Sequence, residues 1–159
     1  MKKYVSILFT MFLVFAVYGQ SAGVIDQILE TDKATFGQVC YLSAVEQGLI
    51  NEDADFNEAI LALADQGQIP SIVNEDTVAP VVDIAFIMSQ MWDIKGGLFY
   101  ILTKGSPRYT FKQFKSDGVI DSSVDPNDVI TGAELLSMYT VGIKVYGGFD
   151  ISAVSMENE

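Results

Sequence analysis

Helix starts and stops recur along this chain at a constant offset, and that recurrence restricts the available folds more than any other feature. Asp55 and Ser106 stand 51 positions apart at sites suited to a helix N-cap, and Pro107 suits a first helical turn. Gly67 and Gly118 follow at the same offset as left-handed helix terminators. Ile69 pairs with Ile120, Ser71 with Ser122, Val73 with Val124 and Val78 with Val129. Asp83 then pairs with Glu134 in the first turn of a further helix. That helix opens at Ile130-Thr131-Gly132-Ala133-Glu134, where Thr131 is the N-cap and Glu134 completes a capping box. Thr35-Phe36-Gly37-Gln38 and Pro80-Val81-Val82-Asp83 are openings of the same kind.

Each copy therefore reads as helix, short loop, helix, over about 55–92 and 106–143. The stretch 35–48, stopped by Gly48, reads as the second helix of a truncated earlier copy. One such unit cannot bury its apolar face alone, whereas stacked units sharing a core can. The expected fold is all-α: a small bundle of degenerate helical-hairpin repeats in one domain over 20–150. Val24 to Glu30 should add about two amphipathic helical turns. Gly96-Gly97 breaks a helix, and the apolar run after it leans to helix. Past Gly142, Lys144-Val145-Tyr146 is expected to be extended, and 151–159 to be a disordered tail.

The first 19 residues have the layout of a removable secretory signal peptide. Lys2 and Lys3 precede an almost wholly apolar run from Val5 to Val17, and small residues follow. The run is shorter than the roughly 20 residues of a membrane span, and nothing later is apolar for long enough to cross a bilayer. The expected mature protein is exported, to the periplasm or cell surface, with no transmembrane segment.

The chain carries 9 Lys and Arg against 21 Asp and Glu. Such acidity argues against nucleic acid as a partner, because binding there relies on neutralising phosphates. With no histidine, the commonest general base and transition-metal ligand is missing. Cys40 is the only cysteine, so neither an intramolecular disulfide nor a cysteine-rich zinc site can form, and it sits on an apolar face. No nucleophile motif or phosphate-cradling loop is present. No catalytic residue, metal ligand or cofactor is assigned.

From Gly118 to Tyr139 the chain resembles the S-layer homology repeat. The shared elements are Gly118-Val119-Ile120 after one helix and Ile130-Thr131-Gly132-Ala133-Glu134 opening the next, with Gly67-Gln68-Ile69 in the earlier copy. The resemblance implies an architecture of helical units and attachment to cell-wall polysaccharide through a signature arginine. Here Gly132 replaces that arginine, and its counterparts are Phe36 and Val81. The loop is also shorter and lacks the family's Gly-x-Phe element. The resemblance thus implies architecture more than wall binding.

The candidate binding residues lie between 95 and 115. Five of the seven positive charges left after removal of Lys2 and Lys3 fall there: Lys95, Lys104, Arg108, Lys112 and Lys115. They alternate with Phe99, Tyr100, Tyr109, Phe111 and Phe114. A helix from Pro107 places Arg108, Lys112 and Lys115 near one face. Lys104, Arg108, Tyr109, Lys112 and Lys115 are the residues expected to engage an anionic glycan or an acidic protein partner of the envelope. The same stripe could instead neutralise the protein's own carboxylates or dock a second copy.

Two other readings stay open. Ser123, Asp125, Asn127, Ile130 and Glu134 fit positions one, three, five, eight and twelve of a calcium loop. Pro126 and Asp128 fit it badly, since the sharp turn needs glycine where Asp128 stands. A carboxylate-only hydrolase needs two acids converging in a cleft, and spacing alone selects no pair among 21.

Overall fold

The computed structural model describes residues 23–70, 73–92, 94 and 105–147. The segment read as a signal peptide, the 95–104 stretch with Lys95 and Lys104, and the 151–159 tail lie outside these residues. The described residues form six helices and no strand. They are α1 (23–29), α2 (Phe36–Glu46), α3 (Phe56–Asp65), α4 (Val81–Ser89), α5 (Pro107–Ser116) and α6 (Gly132–Tyr146). The expected all-α class is the observed one.

Local chemistry sets the helix ends. Thr35 with Gln38, Asp55 with Glu58 and Thr131 with Glu134 each form a reciprocal capping box. At the other end, Gly48, Gly67 and Gly118 take φ of 67, 70 and 75°. There the following amide reaches back into its helix, Leu49 N–H to Ala44 O at 2.8 Å, Gln68 to Leu63 O at 3.0 Å and Val119 to Phe114 O at 2.9 Å. An L side chain resists that backbone region, which accounts for glycine at all three positions.

The starts of α2, α4 and α6 interlock in a cycle. The first amide of α2, Phe36 N–H, donates to Thr77 O ahead of α4 (2.9 Å). The first amide of α4, Val81 N–H, donates to Asp128 O ahead of α6 (3.0 Å), and Gly132 N–H of α6 donates to Thr31 O ahead of α2 (2.8 Å). Gly37 and Val82 repeat the pattern one residue on, to Glu75 O (3.0 Å) and Pro126 O (2.9 Å). Ala34 links all three loops, donating to Ile130 O (2.7 Å) and accepting from Ala79 N–H (3.0 Å). Orphan helix-start amides thus find acceptors in loops far away in sequence. This explains how α4 does without a capping side chain at Pro80.

Helix packing differs from the expected hairpins. The closely packed pairs are α2 with α3, α4 with α5, and α2 with α4. α3 with α4 and α5 with α6, the pairs expected within one unit, make less extensive contact. α5 and α6 meet where the Phe114 and Tyr146 rings lie 5.5 Å apart and Tyr146 O–H donates to Asp117 at 2.6 Å. The interlocked loops tie together the starts of α2, α4 and α6, and α3 and α5 are each laid against the preceding helix. A reciprocal amide pair closes the α2–α3 corner, Gln47 Nε2 to Gln68 Oε1 at 3.1 Å and Gln68 Nε2 to Gln47 Oε1 at 2.7 Å. One apolar core runs through all six helices, with Ile28, Cys40, Leu63, Ile84, Phe114 and Leu135 fully buried.

α6 also runs further than expected. Lys144, Val145 and Tyr146 are helical rather than extended, and Gly142 lies inside the helix. The reason is Trp92: a Cβ on Gly142 would overlap its ring. Trp92 lies against Phe114, Tyr139 and Tyr146 with centroids 5.7–6.4 Å away. Its indole N–H has no hydrogen-bond partner among the described residues. Leaving that donor unpaired costs about 1–3 kcal/mol, whereas burying about 150–250 Å² of aromatic surface gains about 4–6 kcal/mol, so burial prevails.

Candidate functional site

α5 presents two contrasting faces. Phe111 and Phe114 point into the core, and buried Thr110 ties its hydroxyl to Gly105 O at 3.0 Å. With that face fixed, Arg108 and Lys112 emerge one turn apart on the exposed side. The Lys112 ammonium stands 5.4 Å from the Tyr109 ring centroid, a cation–π distance. Arg108, Tyr109 and Lys112 are therefore brought together. Lys115 is turned elsewhere: Nζ donates to Val124 O at 2.9 Å and lies 5.4 Å from the Phe111 centroid. It fastens the loop after α5 to its own helix, and Lys104 lies outside the described residues.

A second feature was not visible in the sequence as a site. A cleft of about 200 Å³ opens between the turn after α5 and the first turns of α6. Val81, Ile120, Val124 and Met138 are among its apolar lining, and Asp121, Glu134 and Ser137 supply the polar groups. Asp121 Oδ1 accepts from both Ser123 Oγ (2.6 Å) and Ser123 N–H (2.8 Å). These bonds, with a smaller contribution from the Lys115 charge, hold its carboxyl below the ordinary range despite slight desolvation. Glu134 Oε2 accepts from Thr131 N–H (2.8 Å) and Thr131 Oγ1 (3.0 Å) as part of the α6 cap. On each carboxylate one oxygen is engaged and these bonds leave the other open.

This arrangement bears on the alternative chemistries. A glycosidic acid catalyst needs a carboxyl with raised proton affinity, and Asp121 is shifted the other way. Cys40 is buried and its thiol is pushed up to about 12, so it is a poor nucleophile. In the calcium-loop reading, the Pro126 and Asp128 carbonyls face the start of α4, and Thr131 holds one Glu134 oxygen, so the bidentate carboxylate that position twelve needs is not offered. Among the described residues no group of three or more Cys, Asp or Glu could hold a metal ion. A larger depression of about 380 Å³ near Asp53, Asp55 and Glu75 is also acidic, and Asp55 there caps α3 by accepting from Glu58 N–H at 2.7 Å. No helix among the described residues is long and apolar enough to cross a membrane.

The sequence marked the α5 stripe because charge and aromatic residues alternate there. The cleft escaped it because its walls come from α4, α5's following turn and α6, which only the interlocked loops bring together. No protein-family model, curated protein or solved structure matches this chain.

Proposed function

We propose that this chain is an exported, non-catalytic helical binding module of the bacterial cell envelope. In this reading the α5 face with Arg108, Tyr109 and Lys112 engages an anionic glycan or an acidic protein partner. The observation that carries it is the exposed Arg108–Lys112 pair, set one turn apart beside Tyr109 on a chain of net charge −12. Positive charge concentrated on such an acidic surface is a local attraction against a repulsive background. Export rests on Lys2, Lys3 and the apolar stretch behind them.

The repeat reading, and with it the likeness to S-layer homology units, draws support from the element bounds. α3 and α5 each have 10 residues and begin 51 positions apart; α4 and α6 differ in length, with 9 and 15 residues, but also begin 51 positions apart. The first amide of each of α2, α4 and α6 bonds a carbonyl in the loop ahead of another of the three, and α2 and α4 repeat this at their second residue. The family's arginine position offers no binding group here. Gly132 is covered by Ile28 and Val81 is buried, so the α5 face is the better surface for a ligand.

The test is capture from envelope extracts on immobilised protein, with Arg108→Glu/Lys112→Glu as the comparison. The expected result is loss of the captured species and an unchanged helical circular dichroism spectrum. Elution by about 1 M salt should mimic the double change, since the Debye length then falls to about 3 Å. Capture that survives both treatments removes the α5 face from the function.

A further inference from the structure

We propose that the cleft between the turn after α5 and the first turns of α6 is a docking subsite for a lysine side chain of a basic partner segment. The surface is separate from the α5 face and does not depend on the function proposed for it.

Size comes first. At about 200 Å³ the cleft is below the roughly 300–1,000 Å³ typical of cofactor and small-molecule pockets, so a single side chain fits it better than a whole ligand. Its lining is an apolar floor with a charged rim. Val81, Ile120, Val124 and Met138 offer hydrocarbon, and Asp121 and Glu134 offer negative charge. An aliphatic stem ending in a cation matches that division along its own length.

The carboxylate geometry selects ammonium over guanidinium. Asp121 Oδ1 is held by Ser123, and Glu134 Oε2 by Thr131. Each acid thus presents one open oxygen. A guanidinium fork is best satisfied by both oxygens of one carboxylate, which neither acid offers. An ammonium has three donors that point apart and takes single oxygens from separate groups, and Asp121, Glu134 and Ser137 all line the cleft. Lys115, whose Nζ is held on Val124 O, offsets part of the Asp121 charge; the remaining negative charge of the rim and the chain's net charge of −12 favour the approach of a basic segment.

The test uses the full chain, labelled with ¹⁵N, and three acetylated and amidated tetrapeptides: Gly-Leu-Lys-Gly and its norleucine and arginine counterparts. Norleucine keeps the stem and removes the charge. The lysine peptide should shift the amide resonances of Val119, Ile120, Val124, Ser137 and Met138, while the norleucine peptide leaves them in place. About 1 M salt should weaken the lysine effect about tenfold, because both acids lie in reach of solvent. Asp121→Asn should lose it, as should Ser137→Phe, which fills the cleft from an exposed helix position and leaves the α6 cap intact. Equal shifts with norleucine would reduce the cleft to an apolar dent and overturn the proposal. Unchanged binding in either variant would also overturn it, as would tighter binding of the arginine peptide.

Discussion

The carbonyl of Ile28 lies where a side chain on Gly132 would have to begin. The first helical residue of α6 is buried under the end of α1, and Gly132 N–H reaches Thr31 O at 2.8 Å just beyond it. Ile28 itself is completely buried. Glycine at this position is a requirement of close backbone approach rather than of a turn.

Gly132→Ala should therefore destabilise the protein, although alanine favours helix by up to about 1 kcal/mol. A backbone carbonyl cannot rotate aside as a side chain can, so α1 must lift. The expected net loss is about 1–3 kcal/mol, seen as a lower urea midpoint. Hydrogen exchange should show α1 amides losing protection before those of α2. Unchanged protection of α1 would mean that the two segments are not pressed together.

Gly142→Ala sets the same propensity gain against a different obstacle, the Trp92 ring. Phe114, Tyr139 and Tyr146 surround that ring, so its room to retreat is limited. A net loss of up to about 2 kcal/mol is expected, with an altered Trp92 fluorescence spectrum. Trp92 is the sole tryptophan, which makes the signal unambiguous.

Caps with and without a side-chain bond should separate cleanly. Thr131 Oγ1 accepts from Glu134 N–H at 3.2 Å, whereas the Ser106 side chain makes no capping bond. Thr131→Ala should cost about 1 kcal/mol in chemical denaturation. Ser106→Ala should cost less than about 0.5 kcal/mol. Equal costs would assign the effect to backbone conformation instead.

Cys40 gives a pH-dependent prediction. Burial raises its thiol from 9.0 to about 12. The folded state holds this proton more tightly than the unfolded state does. The resulting contribution to stability is complete below about pH 9 and fades as pH rises toward about 12. At about pH 8 the native protein should resist an aromatic disulfide reagent that urea-unfolded protein consumes at once. Rapid native labelling would show that the α2 core opens.

Much of the fold was legible because its signals are local. Thr35, Asp55 and Thr131 announce their helices within one turn, and Gly48, Gly67 and Gly118 stop theirs by backbone conformation alone. Partnership between helices was not legible. Nothing near Asp55 says that α3 lies on α2 rather than α4, and the contact that closes that corner, the Gln47–Gln68 amide pair, joins side chains 21 positions apart. Gly142 was misleading for a related reason. A glycine reads as a helix end unless the ring lying on it is known. At the candidate site, the exposure of Arg108 and Lys112 follows from helical spacing, but the diversion of Lys115 to Val124 depends on a turn whose course no pattern encodes.

The cycle of loop bonds also governs how the chain can be made. When α4 leaves the ribosome, the carbonyls awaiting Val81 and Val82 belong to Asp128 and Pro126, which have yet to be translated. A truncated product ending before that segment would keep α2 and α3 but strand the amides that start α4. The start of α4 is accordingly completed only once the segment 126–128 has been made, and until then water must supply the missing acceptors.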